Sequence, residues 1–245
     1  GFDTADFSSL TTGATLSIRD HSCFTGSYPD PVYVGYLENI ERVIGTAFND
    51  VITGDQGGVT LEGAGGDDVL IAYGGGNATF NGGSGLDTAD YRFADFALTI
   101  DMSNAAAQGN GFGGQNTLIG IENLAGSAHS DTLTGNTGAN ILSGNGGDDT
   151  LNGGDGDDIL DGGKGSDSLN GGAGNDIIRF SASQGDVTGD GVDTVTGFVA
   201  GGTQDRIQLV GYDAYTLVQE GANTRVVLDP NNSILLLNVT ASALT

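Results

Sequence analysis

Apolar residues recur along this chain on a beat of nine. From Gly126 to Arg179 the sequence forms six consecutive blocks, with Leu133, Leu142, Leu151, Leu160, Leu169 and Ile178 at the eighth position, Asp or Asn at the sixth and glycine at the first. A period of nine matches neither the 3.6-residue helical repeat nor unbroken strand alternation. It does match a short strand with one inward apolar side chain, joined by a turn of about six residues in which glycine supplies positive φ. Two blocks then make strand, turn, strand, turn, so block n is predicted to stack on block n+2.

A degenerate copy of the beat lies upstream. It runs GTAFNDVIT from Gly45, GDQGGVTLE from Gly54 and GAGGDDVLI from Gly63, then, after one extra residue, YGGGNATFN from Tyr73 and GGSGLDTAD from Gly82. The eighth positions (Ile52, Leu61, Leu70, Phe80 and Ala89) stay apolar or small. The sixth positions read Asp50, Val59, Asp68, Ala78 and Asp87, so every second block lacks a carboxylate.

Outside the arrays, short alternating stretches punctuated by turn formers predict strands at 14–18, 32–37, in FALTIDMSN and NTLIGIENLAG on either side of a Gly-rich loop at 108–115, and at 193–199, 206–210, 214–218, 225–228 and 234–239. His21 and Cys23 are expected in a loop between the first two, with no orienting residue of the kind a Cys-His nucleophile pair needs. Nowhere does an apolar helical period persist for three turns. The chain is therefore predicted to be all-β, with an N-terminal β segment at 1–44, a first array at 45–90, an inserted β segment at 91–125, a second array at 126–179 and a C-terminal β cap at 180–245. Gly1–Phe7 matches Gly85–Tyr91, and Ile40–Ala47 matches Ile121–Ala128 at an offset of 81. The two halves are expected to share one plan, with the opening continuing a roll cut from a longer polypeptide.

Composition narrows the chemistry. The net charge is −25, and only five of the 32 acids are Glu (Glu38, Glu41, Glu62, Glu122 and Glu220). So many Asp residues suit tight turns and oxygen cages for hard cations. The charge excludes nucleic acid and anionic membranes as partners, which demand Lys and Arg. The longest aliphatic run, Ile234–Leu237, is too short for membrane insertion. One cysteine permits no internal disulfide. Each core layer is thin, glycine is costly to order, and stacked carboxylates repel. A divalent cation answers all three, which predicts a chain unfolded without metal and folded with it.

The repeat G-x-x-G-x-D-x-[LI]-x resembles the RTX (repeats-in-toxin, haemolysin-type) calcium-binding family. The resemblance implies a right-handed parallel β-roll with a C-terminal antiparallel β cap, the latter carried by DTVTGFVAGGTQDRIQLVG from Asp193. It also implies an ion between stacked loops, held by first- and third-position carbonyls of one loop, second- and fourth-position carbonyls of the loop two blocks later, and both sixth-position side chains. Transferred residue by residue, Gly126, Ala128 and Asp131 face Asn145, Gly147 and Asp149. Gly144, Gly146 and Asp149 face Gly163, Gly165 and Asp167. On the opposite side, Gly135, Thr137 and Asn140 face Gly154, Gly156 and Asp158, a weaker site because Asn140 is uncharged. Gly153, Asp155 and Asp158 face Gly172, Gly174 and Asp176. In the first array, Gly45, Ala47 and Asp50 face Ala64, Gly66 and Asp68, and Gly63, Gly65 and Asp68 face Gly83, Gly85 and Asp87. Val59 and Ala78 leave the other side of that array empty. About six Ca2+ ions follow. Fifth-position residues Asn49, Asp67, Asp148, Asp157 and Asn175 are expected to support the loops, and His129 to contribute through its carbonyl.

The resemblance further implies a bacterial protein that is secreted, extracellular or at the cell surface, with calcium and a type I secretion apparatus as partners and the secretion signal in the C-terminal segment. Two other function classes stay open: a structural or adhesive surface protein that self-associates, and a glycan-binding module stacking sugars on Tyr28, Tyr33, Tyr36 or Tyr91. Catalysis is not expected within the chain. It has neither H-E-x-x-H nor G-x-S-x-G, and only His21 and His129 as imidazole bases.

Overall fold

The structure is a computed structural model and describes residues 2–19, 22–25, 32–35, 39–55, 57–181, 192–199, 205–229 and 232–244. The chain divides into two units, Gly1–Phe96 with Asn104–Ala125, and Ala97–Ser103 with Gly126–Thr245. Both are parallel β-rolls. Among the described residues the only helical element is a 3₁₀ turn at Ala241–Ala243. No helix there is long and apolar enough to cross a membrane.

In the second unit the register follows the repeat. Thr132–Thr134, Thr150–Asp155 and Ser168–Ala173 pair in parallel, with Leu133 opposite Leu151 and Leu151 opposite Leu169. On the facing sheet Ile141–Ser143, Ile159–Asp161 and Ile177–Ser181 pair likewise, aligning Leu142, Leu160 and Ile178. These eighth-position side chains are almost wholly buried and form the thin core. The rolled pattern outlasts the nonapeptides. Val192–Thr196 pairs in parallel with Ser168–Ala173, and Arg206–Val210 with Ile177–Ser181. Asn232–Leu236 then joins Val192–Thr196, and Asn223–Asp229 and Thr216–Glu220 complete the sheet antiparallel. That meander is the cap.

The first unit stacks Thr4–Asp6, Arg42–Ile44, Thr60–Gly65, Ala78–Ser84 and Gln115–Ile119 in one parallel sheet. Its second sheet runs Asn123–Ala125, Thr88–Asp90, Val69–Ile71, Val51–Thr53 and Ala14–Ser17, also parallel. The extra residue before Tyr73 lengthens two steps without breaking the stack, since Leu61 still pairs with Phe80 and Leu70 with Ala89.

Three sequence expectations need correction. Cys23 does not lie in a loop: Ser22–Thr25 is a strand, antiparallel to both Ala14–Ser17 and Val32–Gly35. Phe24 and Thr25 favour strand, but the four residues of SCFT carry no alternation that would signal one in the sequence. His21 lies outside the described residues, as do Tyr28, Tyr36 and residues 182–191 of the Gly/Asp-rich loop expected at 180–193, whose two ends instead belong to the strands Ile177–Ser181 and Val192–Thr196. Within the supposed loop at 108–115, Gln108–Gly109 pairs antiparallel with Gln115–Ile119.

Candidate metal centre

The sixth-position side chains are as buried as the leucines. Asp50, Asp68, Asp87, Asp131, Asn140, Asp149, Asp158, Asp167 and Asp176 are at most 2% exposed. They form ladders along the roll. Asp131 N–H donates to Asp149 Oδ1 at 2.7 Å, and Asp149 N–H to Asp167 Oδ1 at 2.8 Å. On the other side Asn140 N–H donates to Asp158 Oδ1 at 2.8 Å and Asp158 N–H to Asp176 Oδ1 at 3.0 Å. The first array repeats this, Asp50 to Asp68 at 2.8 Å and Asp68 to Asp87 at 2.9 Å. Every sixth-position pairing drawn from the repeat is thus brought together, one strand spacing apart.

Each ladder bond uses Oδ1 alone. Oδ2 of Asp68, Asp87, Asp149, Asp158, Asp167 and Asp176 is buried with no hydrogen-bond partner. An ionised carboxylate left this way costs several kcal/mol. Burial accordingly pushes the pKa of Asp68 and Asp149 up to about 8 and that of Asp158 and Asp167 up to about 6, with neighbouring carboxylates adding to the shift. The free oxygens are aimed at first-position glycines. A Cβ placed on Gly144 would collide with both Asp149 Oδ2 and the Gly162 carbonyl, and one on Gly153 with Asp158 Oδ2 and the Gly171 carbonyl. No group of three or more His, Cys, Asp or Glu side chains converges among the described residues. The paired carboxylates and the neighbouring main-chain carbonyls together offer a hard-oxygen donor set of the kind that fits calcium.

The loops themselves explain the glycine rhythm. Second and fourth positions take left-handed φ, as at Gly163 (95°) and Gly165 (131°), and Asn145 (72°) and Ala64 (77°) adopt it without being glycine. Loops starting a stack differ. Thr46, Ser127 and Asn136 donate their N–H back to Asp50 Oδ2, Asp131 Oδ2 and Asn140 Oδ1. His129, in the second of these loops, donates its N–H to Ser127 Oγ. Among the other carbonyls transferred from the repeat, Gly126 O accepts from Asn145 Nδ2 at 2.8 Å. Fifth positions build an outer ladder of opposite sense. Asn49 Oδ1 accepts Asp67 N–H, Asp67 Oδ1 accepts Leu86 N–H, Asp148 Oδ1 accepts Ser166 N–H, and Asp157 Oδ1 accepts Asn175 N–H, each within 2.9 Å.

Sequence reasoning missed several ladder members. Asp193 Oδ1 accepts Asp167 N–H at 2.9 Å and Asp205 Oδ1 accepts Asp176 N–H at 3.0 Å. Their signal was Asp-x-[Val/Ile] after a partial glycine pattern, Gly189 and Gly191 at the repeat's second and fourth positions before Asp193 and Gly201 at the second before Asp205, with the first-position glycine lacking in both. Glu122 Oε2 continues the Asp87 ladder at 2.9 Å. On the carboxylate-poor side of the first array, Asn116 Oδ1 accepts Ala78 N–H at 3.1 Å, standing where the repeat has Asp. Buried Asn110 completes that side: its Nδ2 donates to the Gly76 carbonyl at 2.9 Å and to Asn116 Oδ1 at 3.2 Å. There an amide donor satisfies a main-chain carbonyl and a side-chain oxygen. Tyr91, offered above as a sugar-stacking residue, is 1% exposed and packs against Phe80, so it cannot serve.

The family model for the RTX calcium-binding nonapeptide repeat matches residues 44–78, 125–160 and 153–182. The matched arrays are RTX calcium-binding nonapeptide repeats, and they lie in the parallel β-rolls described above. Among solved structures, extracellular lipase LipA from Serratia marcescens matches at 21% identity over 83% of this chain, with a TM-score of 0.31. The chain spans 38% of the length of that lipase. No curated protein matches it.

Proposed function

We propose that this chain is a calcium-triggered folding module of a larger bacterial exoprotein, unfolded at the low calcium of the cytosol, exported by a type I apparatus and folded outside the cell. The observation that carries this reading is the row of buried Asp residues whose Oδ2 atoms have no partner. A chain threaded through an exporter must avoid folding first, and a fold that needs a cation to satisfy its core does so. The cations are assigned to the six sixth-position pairings, hence about six ions. Sites containing Asp50, Asp131 or Asn140 are weaker, since the loop's own amide already contacts that side chain. Any catalytic activity belongs to sequence outside the repeats.

Size-exclusion chromatography of the full chain separates this from an adhesive role. We expect a compact monomer in calcium and an expanded monomer in chelator. A calcium-dependent oligomer would favour the adhesive reading instead.

A further inference from the structure

The two carboxylate stacks of the second unit end differently. On one side the last member is Asp205, whose Oδ1 accepts Asp176 N–H and whose Oδ2 accepts Val199 N–H at 2.7 Å. Both oxygens are used, and the side chain is only part-buried. The other side ends on Asp193. It is 1% exposed, its Oδ1 accepts Asp167 N–H, and its Oδ2 is buried with no partner. Asp167 Oδ2, one strand spacing away, is also without a partner. The parallel register of Ser168 with Thr194 and Leu169 with Val195 holds the two side chains in the relation that Asp149 and Asp167 have one step earlier.

We infer that a further calcium ion binds between Asp167 and Asp193, beyond the six consecutive blocks of nine and at the junction with the cap. Two facing buried carboxylates that form no ion pair with a Lys or Arg among the described residues require a counter-charge. Their oxygens select a hard divalent ion, and its shell of six to eight oxygens leaves room for carbonyls and water. The ion would fasten Val192–Thr196, and through it the antiparallel cap, onto the repeat array. Asp205 has no such role, because a main-chain amide already fills the equivalent place. The inference rests on the calcium reading proposed above.

The test is the number of calcium ions retained by the full chain, measured by metal analysis after gel filtration in low free calcium, for the wild type, Asp193→Asn and Asp205→Asn. Asparagine keeps the ladder acceptor in both variants, and circular dichroism in saturating calcium checks that each still folds. Asp193→Asn is expected to retain one ion fewer than the wild type, and Asp205→Asn the same number. Equal retention by Asp193→Asn and the wild type would overturn the inference, as would an equal loss in Asp205→Asn. A wild type that retains no calcium would overturn the calcium reading itself, and this inference with it.

Discussion

Glu122 accepts the main-chain N–H of Asp87 through Oε2 at 2.9 Å, and Glu41 does the same for Asp3 at 2.7 Å. The carbonyls of Asp87 and Asp3 in turn accept two consecutive amides each, from Glu122 and Asn123 and from Glu41 and Arg42. The duplicated sequence therefore builds the same junction twice. Removing the acceptor strands an amide in a part-buried position. Glu122→Ala is expected to cost about 1–3 kcal/mol of calcium-loaded stability, read from denaturant midpoints, with Glu122→Gln close to wild type. Glu41→Ala should cost less, because its bond is exposed.

Proton linkage follows from the buried carboxylates. Burial raises Asp68 and Asp149 to about 8 and Asp193 to about 7, from an ordinary value of 3.8. A folded-state pKa above the unfolded one means the metal-free fold holds extra protons. Its stability is greatest below the unfolded value and is lost as pH rises toward the folded values. In chelator, acidification from about pH 8 to about pH 5 should therefore increase strand signal. Calcium needs the ionised form, so its binding near neutrality should release protons and tighten as pH rises. An indicator titration in weak buffer reads this directly, and calcium uptake without proton release would contradict it.

Loop geometry separates glycines that look alike in sequence. Gly165 has φ 131°, and a Cβ there would collide with the Gly147 carbonyl. Gly138, at the same repeat position in a stack-opening loop, has its nearest obstacle at 3.3 Å, the Asn136 side chain. Gly165→Ala is expected to destabilise the calcium-loaded fold by about 1–3 kcal/mol and Gly138→Ala by less than about 1 kcal/mol. Thermal melts in saturating calcium compare the two.

Asn110 offers a contrast in mechanism. Because its amide bonds the Gly76 carbonyl and Asn116 without any ion, Asn110→Ala should lower the unfolding midpoint by a similar amount at limiting and saturating calcium. Asp149→Asn should act through calcium, with its cost changing as calcium is varied. Denaturant midpoints of both variants at two calcium concentrations distinguish these behaviours.

How much was legible in the sequence depended on glycine. Where the beat was intact, from Gly126 to Arg179, the positions of Leu133 to Ile178 and of the sixth-position residues followed from spacing alone. Leu16 opposite Ile52 was not legible, because the stretch before it lacks the repeat's first-position glycine and carries Ala14 where the repeat has Asp. Asp193 and Asp205 were hidden because they fall out of phase, 26 and 29 residues after Asp167 and Asp176, so that strand register alone sets their ladder role. Asn116 was hidden by an insertion, since its partner Ala78 is 38 residues away in the chain. The closed conformation of the loops at Asp50, Asp131 and Asn140 comes from their own second-position amides. It marks the first member of a stack, which no single block of nine reveals.

The central claim is that calcium is part of the folded core. Far-ultraviolet circular dichroism of the full chain, titrated with calcium from excess chelator, tests it most directly. The expected result is a largely unfolded spectrum that converts cooperatively to β-structure as calcium is added and reverts on chelation. A β signal already complete in chelator, and unchanged by calcium, would contradict it.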